Sequence, residues 1–431
     1  MDKFTTKLEG VLAPIANKFA ANKSLQAVMY GFMTILPLTL LGAMATLLAS
    51  LQIKEYQAFI VATHLKTIFA FVPSVTTGML AIYSVYSIAK ALADRLGYEK
   101  HATIIGVISL FVFLMMIPLG VTGVSAVNKE VVVIGAALST KFLGSAGIFS
   151  AILIGLLVPR LYILILKMNW VIKMPEGVPP AVANSFAALI PGFIIAITFA
   201  LVRYGFTLTA YVDLNSFLYT TVQAPLKGLT ASPITFMIFL FMVSLFWFFG
   251  IHGGMVVMPL LTALYLPLSL ENLAAYGAGS ALPNLIVQSD WFIYGMIGGG
   301  GATIGFALWM SFFAKSKRYK SLGRLALPAS LCGINEPITF GAPVVMNPLL
   351  MIPFFLTPQI TFGLSYLARI LNLVPALNGV EIPTGTPLFL SAFLAGGWPV
   401  VVLQIVLVGV TLLCYAPFAA ILDKKALAEE K

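Results

Sequence analysis

Long apolar segments separated by short polar loops make up most of this chain. Runs of about 20 apolar residues recur, which is the length that a helix needs to cross the hydrocarbon core of a bilayer. The runs do not alternate apolar with polar positions, so a transmembrane barrel is not favoured. The pattern predicts an all-α polytopic membrane protein with about ten transmembrane helices. The predicted segments are 27–53, 67–91, 102–121, 143–166, 183–208, 232–251, 254–270, 291–313, 344–368 and 398–421.

Residues 1–26 follow a different pattern, in which apolar residues recur at helical spacing with lysines on the opposite side. The apolar positions are Phe4, Leu8, Val11, Leu12, Ile15 and Phe19. The pattern predicts a basic amphipathic helix on the cytoplasmic surface of the bilayer, and a helix that binds a partner protein is the alternative. No small-residue cleavage site follows a short apolar core, so we expect no cleavable signal peptide.

Composition and charge narrow the class of protein. Hydrophobic residues make up 60% of the chain and charged residues 9%, whereas soluble domains carry roughly 25% charged residues. The net charge of +10 comes mainly from Lys and Arg in short loops, and most of these fall on one side of the membrane. This indicates positive-inside topology with both termini in the cytoplasm, rather than a nucleic-acid partner. Arg369 is assigned to a loop on the opposite side. Cys332 and Cys414 lie in apolar surroundings and indicate neither a disulfide framework nor a zinc site.

The two halves of the chain differ in character. The segments of 27–208 are long and plainly apolar, whereas those of 232–431 contain many Gly, Pro, Asn and Trp residues. Interrupted apolar segments are the best sequence indication of a transport site. We therefore predict a scaffold and oligomerisation domain over 27–208, a linker over 209–231, and a transport domain that binds the ligand over 232–431.

The stretch GINEPITFGAPVVMNP, residues 333–348, places Asn335 and Glu336 inside a long apolar region. A carboxyl group at membrane depth is costly and therefore indicates a functional residue. The prolines and glycines of the stretch prevent one regular helix, and irregular backbone at this depth occurs only where it is buried in protein or lines a wet cavity. The stretch predicts a re-entrant loop that places Glu336 at a polar ligand site.

A second polar segment is FWFFGIHGGMVVMP, residues 246–259. His252 lies among glycines, including Gly253, which allow backbone or ligand to approach closely. Its membrane setting favours a functional role over a structural one. Trp247 offers an aromatic face for a sugar ring, and an interfacial or packing tryptophan is an equally good interpretation.

Two further segments carry polar groups. In LPNLIVQSDWF, Asn284 offers an amide to a hydroxylated ligand, and a place in an extramembrane loop explains it equally well. The glycines at 298–301 are not followed by a lysine at the spacing of a phosphate-binding loop, so close helix packing is favoured. In NGVEIPTGTPLFL, Thr384 offers a hydroxyl, although capping of its own backbone is the commoner role. Glu381 is predicted to lie in a polar loop.

Together these segments supply a carboxylate, an imidazole, amides, hydroxyls and aromatic rings. An anionic substrate would require buried Arg or Lys, and no basic cluster is predicted at membrane depth. The set therefore predicts a transporter of a neutral, sugar-like solute. It indicates no cofactor, no metal-ligand spacing and no nucleophile with a base partner.

Four motifs occur in order along the chain: IKMPEGVPPAVANSFAALIPGF, WFFGIHG, GRLALPASLCGINEPITFGAPVVMNP and YLARILNLVPALNGVEIPTGTP. In combination they resemble the membrane-spanning IIC subunit of bacterial phosphoenolpyruvate-dependent sugar phosphotransferase systems, in the lactose, cellobiose and N,N′-diacetylchitobiose family. GIHG together with INEP is the specific part. The order and spacing of the motifs extend the resemblance over nearly the whole chain.

The resemblance implies a homodimer in the bacterial cell membrane, with the amino-terminal spans at the dimer contact and re-entrant hairpins in a carboxy-terminal domain that holds one sugar. His252 of GIHG and Glu336 of INEP would bind the hydroxyl that is phosphorylated, as the catalytic candidates. The candidates for further contacts with the sugar are Asn335, Gly253, Trp247, Asn284 and Thr384. A separate cytoplasmic IIB protein would donate phosphate from its cysteine to the 6-hydroxyl of the sugar.

This chain departs from the family pattern at two places. GIHG is followed by GMVV, where the family more often has an asparagine, and Thr384 stands where members that stack a disaccharide commonly carry tryptophan. Without that aromatic platform, a different disaccharide or a smaller sugar is favoured over cellobiose or chitobiose.

Three other kinds of protein compete with this interpretation. The main alternative is a proton-coupled secondary sugar transporter that does not modify its cargo, because Glu336 also suits a proton site. A passive channel would show flux without saturation and little sensitivity to changes at His252. An intramembrane protease lacks the residues that its chemistry requires.

Overall fold

The structure, a computed structural model, describes residues 21–51, 53–124, 131–175, 177–342 and 344–430, together with Pro14 and Lys18. The chain divides into two compact units, of which the first is Asn22–Lys227 and the second contains Gly228–Lys431. The amphipathic helix predicted over 1–26 falls mostly outside the described residues.

The first unit consists of helices around a buried apolar cluster, with one β-hairpin. Val85, Phe113 and Ile154 of this cluster are fully buried. Small residues let the helices approach closely, since a Cβ on Gly155 would lie 3.1 Å from the Cβ of Ile88. The elements up to residue 230 are α1 Lys23–Ser50, α2 Lys54–Ala62, α3 Leu65–Val75, α4 Leu80–Arg95, α5 Glu99–Met115, β1 Leu119–Val124, β2 Val131–Leu138, α6 Ile148–Lys167, α7 Pro180–Ala187, α8 Leu189–Thr207, α9 Leu214–Leu218 and α10 Ala224–Thr230.

The hairpin is a local departure from the predicted all-α fold. β1 pairs antiparallel with β2, in a register that places Val121 opposite Ile134 and Val124 opposite Val131. β-Branched residues favour strands because they pack well on a pleated surface, and the run VVVI in β2 is the signal in the sequence. The segment predicted over 102–121 therefore begins as helix α5 and ends in β1.

The second unit contains the longest helix among the described residues, α17, which extends beyond the predicted segment 398–421 in both directions. It bends at Gly397, where φ is 72°. The elements of this unit are α11 Pro233–Phe248, α12 Gly253–Gly277, α13 Ile304–Phe312, α14 Lys317–Leu331, α15 Glu336–Gly341, α16 Pro348–Ile370 and α17 Leu390–Glu429.

The number of candidate membrane spans is lower than predicted. Within the described ranges, seven helices are long and apolar enough to cross a membrane, or up to nine if two bent helix pairs each count as one span. The mostly helical architecture confirms the predicted class of fold. Helix α5 has 17 residues, slightly short of the roughly 20 that a span requires. The segment predicted over 291–313 is one of the bent pairs, with 60° between Trp291–Ala302 and Ile304–Phe312.

The turn that precedes α14 is held by acidic residues at the end of α17. The carboxylate of Asp423 accepts hydrogen bonds from the backbone N–H of Lys315 at 2.8 Å and of Ser316 at 2.9 Å. Glu430 accepts from the N–H groups of Arg318 and Lys317, and these two bonds hold the pKa of Glu430 below its usual value. Helix α14 therefore starts from a fixed point, and it leads directly into the segment that carries Glu336.

Candidate functional site

His252 forms the cap of helix α12. Its Nδ1 accepts a hydrogen bond from the backbone N–H of Met255 at 3.2 Å, which satisfies one of the free donors at the start of the helix. A neutral imidazole that accepts at Nδ1 carries its proton on Nε2. The capping bond therefore presents His252 as an Nε2–H donor, on a side chain that is 50% exposed.

Glu336 lies opposite this donor. It is the first residue of the short helix α15, where Pro337 is well accommodated because its missing N–H needs no partner in the first turn. Its Oε1 is 3.7 Å from the Nε2 of His252, and its side chain is 44% exposed. The structure thus brings together the two residues that the sequence singles out from separate segments.

The spacing of the pair leaves both polar atoms free to bind one hydroxyl group. At 3.7 Å, Nε2 and Oε1 are too far apart for a hydrogen bond to each other. An oxygen at about 2.8 Å from each atom would complete a triangle. Such a hydroxyl would accept from His252 and donate to Glu336, which makes its oxygen more nucleophilic.

Trp247 packs against His252, and Gly253 follows His252 at the start of α12. The ring centroids of Trp247 and His252 are 4.4 Å apart, and Trp247 is only 4% exposed. The aromatic face predicted for a sugar ring is therefore occupied by protein. Gly253 is buried, and a Cβ there would collide with the carbonyl oxygen of Val243. Glycine is required here for the close approach of α12 to α11.

Asn335 is 3% exposed and has partners within the protein. Its Nδ2 donates to the carbonyl oxygen of Gly300 at 2.8 Å and to Oγ1 of Thr339 at 3.0 Å. An amide nitrogen has two hydrogens to donate. Both are therefore used before any ligand arrives.

The two remaining candidates lie in different settings. Asn284 is 7% exposed, and its Nδ2 donates to the carbonyl oxygen of Leu268 at 3.1 Å and to Glu271 at 2.9 Å. These bonds connect its loop to α12. Thr384 is exposed in the loop between α16 and α17. Its neighbour Thr386 donates to the carbonyl oxygen of Pro383 at 2.8 Å, which is the capping role expected for hydroxyls in this segment.

Arg369 corrects one sequence prediction. It was assigned to a loop on the outer side, but it lies in the last turn of α16 and is 3% exposed. Its Nη1 is 2.6 Å from Oδ1 of Asp290, with both side chains fully buried. It also donates to the carbonyl oxygen of Leu285 at 2.6 Å. Arg369 carries the same sequence signal as Glu336, an ionisable group beside an apolar run, and this signal could have identified it as a residue at membrane depth.

Glu381 also differs from its prediction. It is 8% exposed rather than part of a solvated polar loop, and one of its oxygens has no hydrogen-bond partner among the described residues. The loop that carries Glu381 is held against α17 by Asn378, whose Nδ2 donates to the carbonyl oxygen of Leu394 at 2.8 Å.

A family model described as the phosphotransferase system, EIIC, matches residues 29–358 of the chain. The chain belongs to this family. It is 34% identical over 438 residues to the cellobiose-specific EIIC component of Geobacillus stearothermophilus, an alignment that covers 100% of this chain and 97% of that protein. It is 33% identical over 440 residues to the oligo-beta-mannoside-specific EIIC component of Bacillus subtilis (strain 168), covering 99% of this chain and 95% of that protein.

A solved EIIC structure has the same fold. The crystal structure of the transporter ChbC, the IIC component from the N,N′-diacetylchitobiose-specific phosphotransferase system, matches with a TM-score of 0.93 and 33% identity, covering 98% of this chain and 99% of that one. The resemblance found in the motifs is thereby confirmed. This EIIC chain is a multi-pass membrane protein and a sugar permease of a bacterial phosphotransferase system, which works with a IIB partner.

Proposed function

We propose that this EIIC chain binds a disaccharide and presents its 6-hydroxyl for phosphorylation by a separate IIB protein. The observation that carries the proposal is the His252–Glu336 pair, with Nε2 and Oε1 3.7 Å apart on half-exposed side chains. A donor and an acceptor at that spacing suit one hydroxyl group, which is the group that a sugar kinase reaction must orient.

The chemistry assigns a different role to each member of the pair. His252 donates from Nε2–H to the sugar oxygen and holds it in place. Glu336 accepts the hydroxyl proton as that oxygen attacks the phosphorus of the donor's phosphocysteine. The P–O bond forms, the S–P bond breaks, and the cysteine leaves as a thiolate. The charged product then binds less well, because the described residues offer it no unpaired buried cation, and this favours its release.

The names of the relatives and the threonine at position 384 together indicate the class of substrate. The relatives are named for cellobiose, oligo-beta-mannosides and N,N′-diacetylchitobiose, all of which are di- or oligosaccharides. Thr384 supplies no aromatic surface where disaccharide-stacking members of the family have tryptophan. We therefore infer a disaccharide whose second ring is held by hydrogen bonds more than by stacking at this position.

We also propose a domain organisation and a membrane topology, from the sequence pattern and the resemblance to this family. Residues 27–208 would form the dimerisation scaffold and 232–431 the transport domain, with 209–231 as the linker and both termini in the cytoplasm. Alternating access would occur by rigid-body movement of the transport domain. The basic residues of α14, which leads to Glu336, support a cytoplasmic location for that segment by the positive-inside rule, where a IIB donor would reach it.

The chemical form of the imported sugar tests the proposal. Vesicles containing this EIIC chain would be loaded with a phosphorylated IIB protein and given radiolabelled disaccharides from outside. We expect sugar phosphate inside, only when the phosphorylated donor is present. Accumulation of unmodified sugar on a proton gradient, without the donor, would instead establish the secondary transporter.

A further inference from the structure

The four consecutive glycines Gly298–Gly301 lie buried between the turn at Trp291–Gly295 and helix α13. Three of them have backbone angles in the left-handed region, with φ of 80° at Gly298, 105° at Gly299 and 74° at Gly301. Residues with a Cβ rarely adopt such angles. The segment is therefore an irregular backbone element, where the sequence indicates only close helix packing.

The backbone of this segment contacts both sides of the candidate site. A Cβ on Gly299 would lie 2.6 Å from the Cβ of Asn335, and a Cβ on Gly300 would lie 2.8 Å from Cδ1 of Trp247. The carbonyl oxygen of Gly300 accepts the 2.8 Å hydrogen bond from Asn335. Asn335 directly precedes Glu336, and Trp247 packs on His252. One short segment thus supports both members of the pair.

The neighbouring carbonyl is fixed as well. The hydroxyl of Tyr415 donates to the carbonyl oxygen of Gly301 at 2.7 Å, and Tyr415 is fully buried on α17. A Cβ on Gly301 would collide with the ring of Phe354. The glycine segment is therefore held by contacts with both α16 and α17.

We propose that Gly299 and Gly300 form the support that sets the spacing of His252 and Glu336, and that Asn335 is a positioning residue rather than a sugar ligand. Both amide hydrogens of Asn335 are committed to Gly300 and Thr339, so its amide nitrogen holds the start of α15 and has no hydrogen left to donate to the sugar. The inference rests on the proposed function in assigning the sugar hydroxyl to the pair.

A double-mutant cycle on sugar binding separates the two roles of Asn335. The purified full chain is titrated with the tightest-binding sugar of a panel of glucose, lactose, cellobiose and N,N′-diacetylchitobiose. We expect Asn335→Ala to weaken binding about tenfold in the otherwise natural chain, which is the effect of one lost hydrogen bond to a charged group. In a Glu336→Ala background it should weaken binding less than about twofold. Equal weakening in both backgrounds would make Asn335 a direct ligand and overturn the proposal.

Changes at Thr339 test the Asn335 clamp, the pair of hydrogen bonds that Asn335 makes to Gly300 and Thr339, with little disturbance of packing. Thr339→Val keeps the shape of the side chain but removes the acceptor for Asn335, and we expect binding about threefold weaker through the loss of one neutral hydrogen bond. Thr339→Ser keeps the hydroxyl and should bind as the natural chain does. If both variants bind equally well, the clamp does not position Glu336.

Gly300 is the most informative glycine because its own φ is not in the left-handed region, so alanine there introduces a steric contact without backbone strain. We expect Gly300→Ala to weaken sugar binding at least about tenfold by displacing Trp247 or Asn335. Gly409→Ala is the matched control, since a Cβ at Gly409 meets nothing within 4 Å. Identical binding by the two variants would overturn the proposal. None of these measurements needs a phosphate donor, so they can succeed even if the phosphorylation assay fails.

Discussion

Two pairs of ionisable side chains in the second unit differ in almost every physical respect. Arg369 and Asp290 are fully buried with 2.6 Å between Nη1 and Oδ1, whereas His252 and Glu336 are about half exposed with 3.7 Å between Nε2 and Oε1. The buried pair has further partners in the protein, including the ring of Tyr294, whose centroid lies 5.1 Å from the guanidinium carbon. The exposed pair keeps its facing atoms unbonded to each other.

The difference shows that an ionisable residue in an apolar sequence has two distinct explanations. A buried charge is tolerated only when other groups of the protein compensate it, and then it holds elements together. In this case the pair fixes the end of α16 to the segment that contains Leu285 and Asp290. A half-exposed pair retains room for a ligand. The geometry therefore indicates a structural role for Arg369–Asp290, and His252–Glu336 remains the proposed ligand site.

The largest expected effect comes from Glu336→Gln. Glutamine can still accept a hydrogen bond from the sugar hydroxyl, but it cannot take up the proton. Phosphorylation-coupled uptake should fall by about 100- to 10,000-fold, while the sugar dissociation constant changes by less than about fivefold. Uptake at the natural rate in this variant would remove Glu336 from the mechanism.

The next effect tests the buried pair. Arg369→Met leaves the Asp290 carboxylate buried without its cation, which should destabilise the protein by about 3–5 kcal/mol. Thermal unfolding in detergent measures the loss. Arg324→Met is the control because Arg324 is exposed on α14, and it should unfold as the natural chain does.

A double change, Arg369→Met with Asp290→Leu, should recover much of that stability, since it removes both charges together. An Arg369→Met variant that unfolds normally but no longer binds sugar would contradict the comparison, because Arg369 would then belong to the ligand site.

His252 is expected to have a smaller effect that separates capping from binding. Asparagine is a good helix cap but does not reach as far as Nε2. His252→Asn should therefore keep the melting temperature and bind sugar about tenfold more weakly, from the loss of a single hydrogen bond. His252→Ala should lose the same affinity and also about 1 kcal/mol of stability. Natural affinity in His252→Asn would mean that the imidazole serves only as a cap.

The smallest effect concerns specificity at the exposed Thr384. Tryptophan at this position adds an aromatic surface for a sugar ring, and such contacts are worth about 0.5–1.5 kcal/mol. We expect Thr384→Trp to improve competition by cellobiose or N,N′-diacetylchitobiose in uptake assays by up to about tenfold relative to glucose. An unchanged order of competing sugars would show that the position lies outside the site.

The sequence predicts those residues of the candidate site whose polar side chains are energetically costly at membrane depth. Glu336 and His252 were identified because polar residues at membrane depth require a reason, and the structure places them side by side. The roles expected for Trp247, Gly253 and Asn335 as sugar contacts remain predictions, and the structure shows each engaged with protein: Trp247 with His252, Gly253 with Val243, and Asn335 with Gly300. No pattern along the chain specifies such contacts between distant segments.

Parts of the fold escaped prediction for similar reasons. The hairpin β1–β2 lies where an apolar, β-branched run is compatible with either strand or helix, and length alone favoured helix. Arg369 was assigned to a loop because it ends an apolar segment, but its carboxylate partner lies far away in sequence at Asp290. In both cases the deciding interaction is non-local.

The sequence by itself determined that this chain is a helical membrane protein of the EIIC family, and that His252 and Glu336 are its principal candidate residues. The family follows from motifs that resemble its members, whereas the class of fold and the candidate residues follow from periodicity, hydropathy and the cost of a charge at membrane depth, which are local properties. The tertiary structure alone decided which polar groups are left available. A buried donor or acceptor must find a partner, and only the folded chain shows that Asn335 and Arg369 have found theirs while the facing atoms of His252 and Glu336 remain open to a ligand.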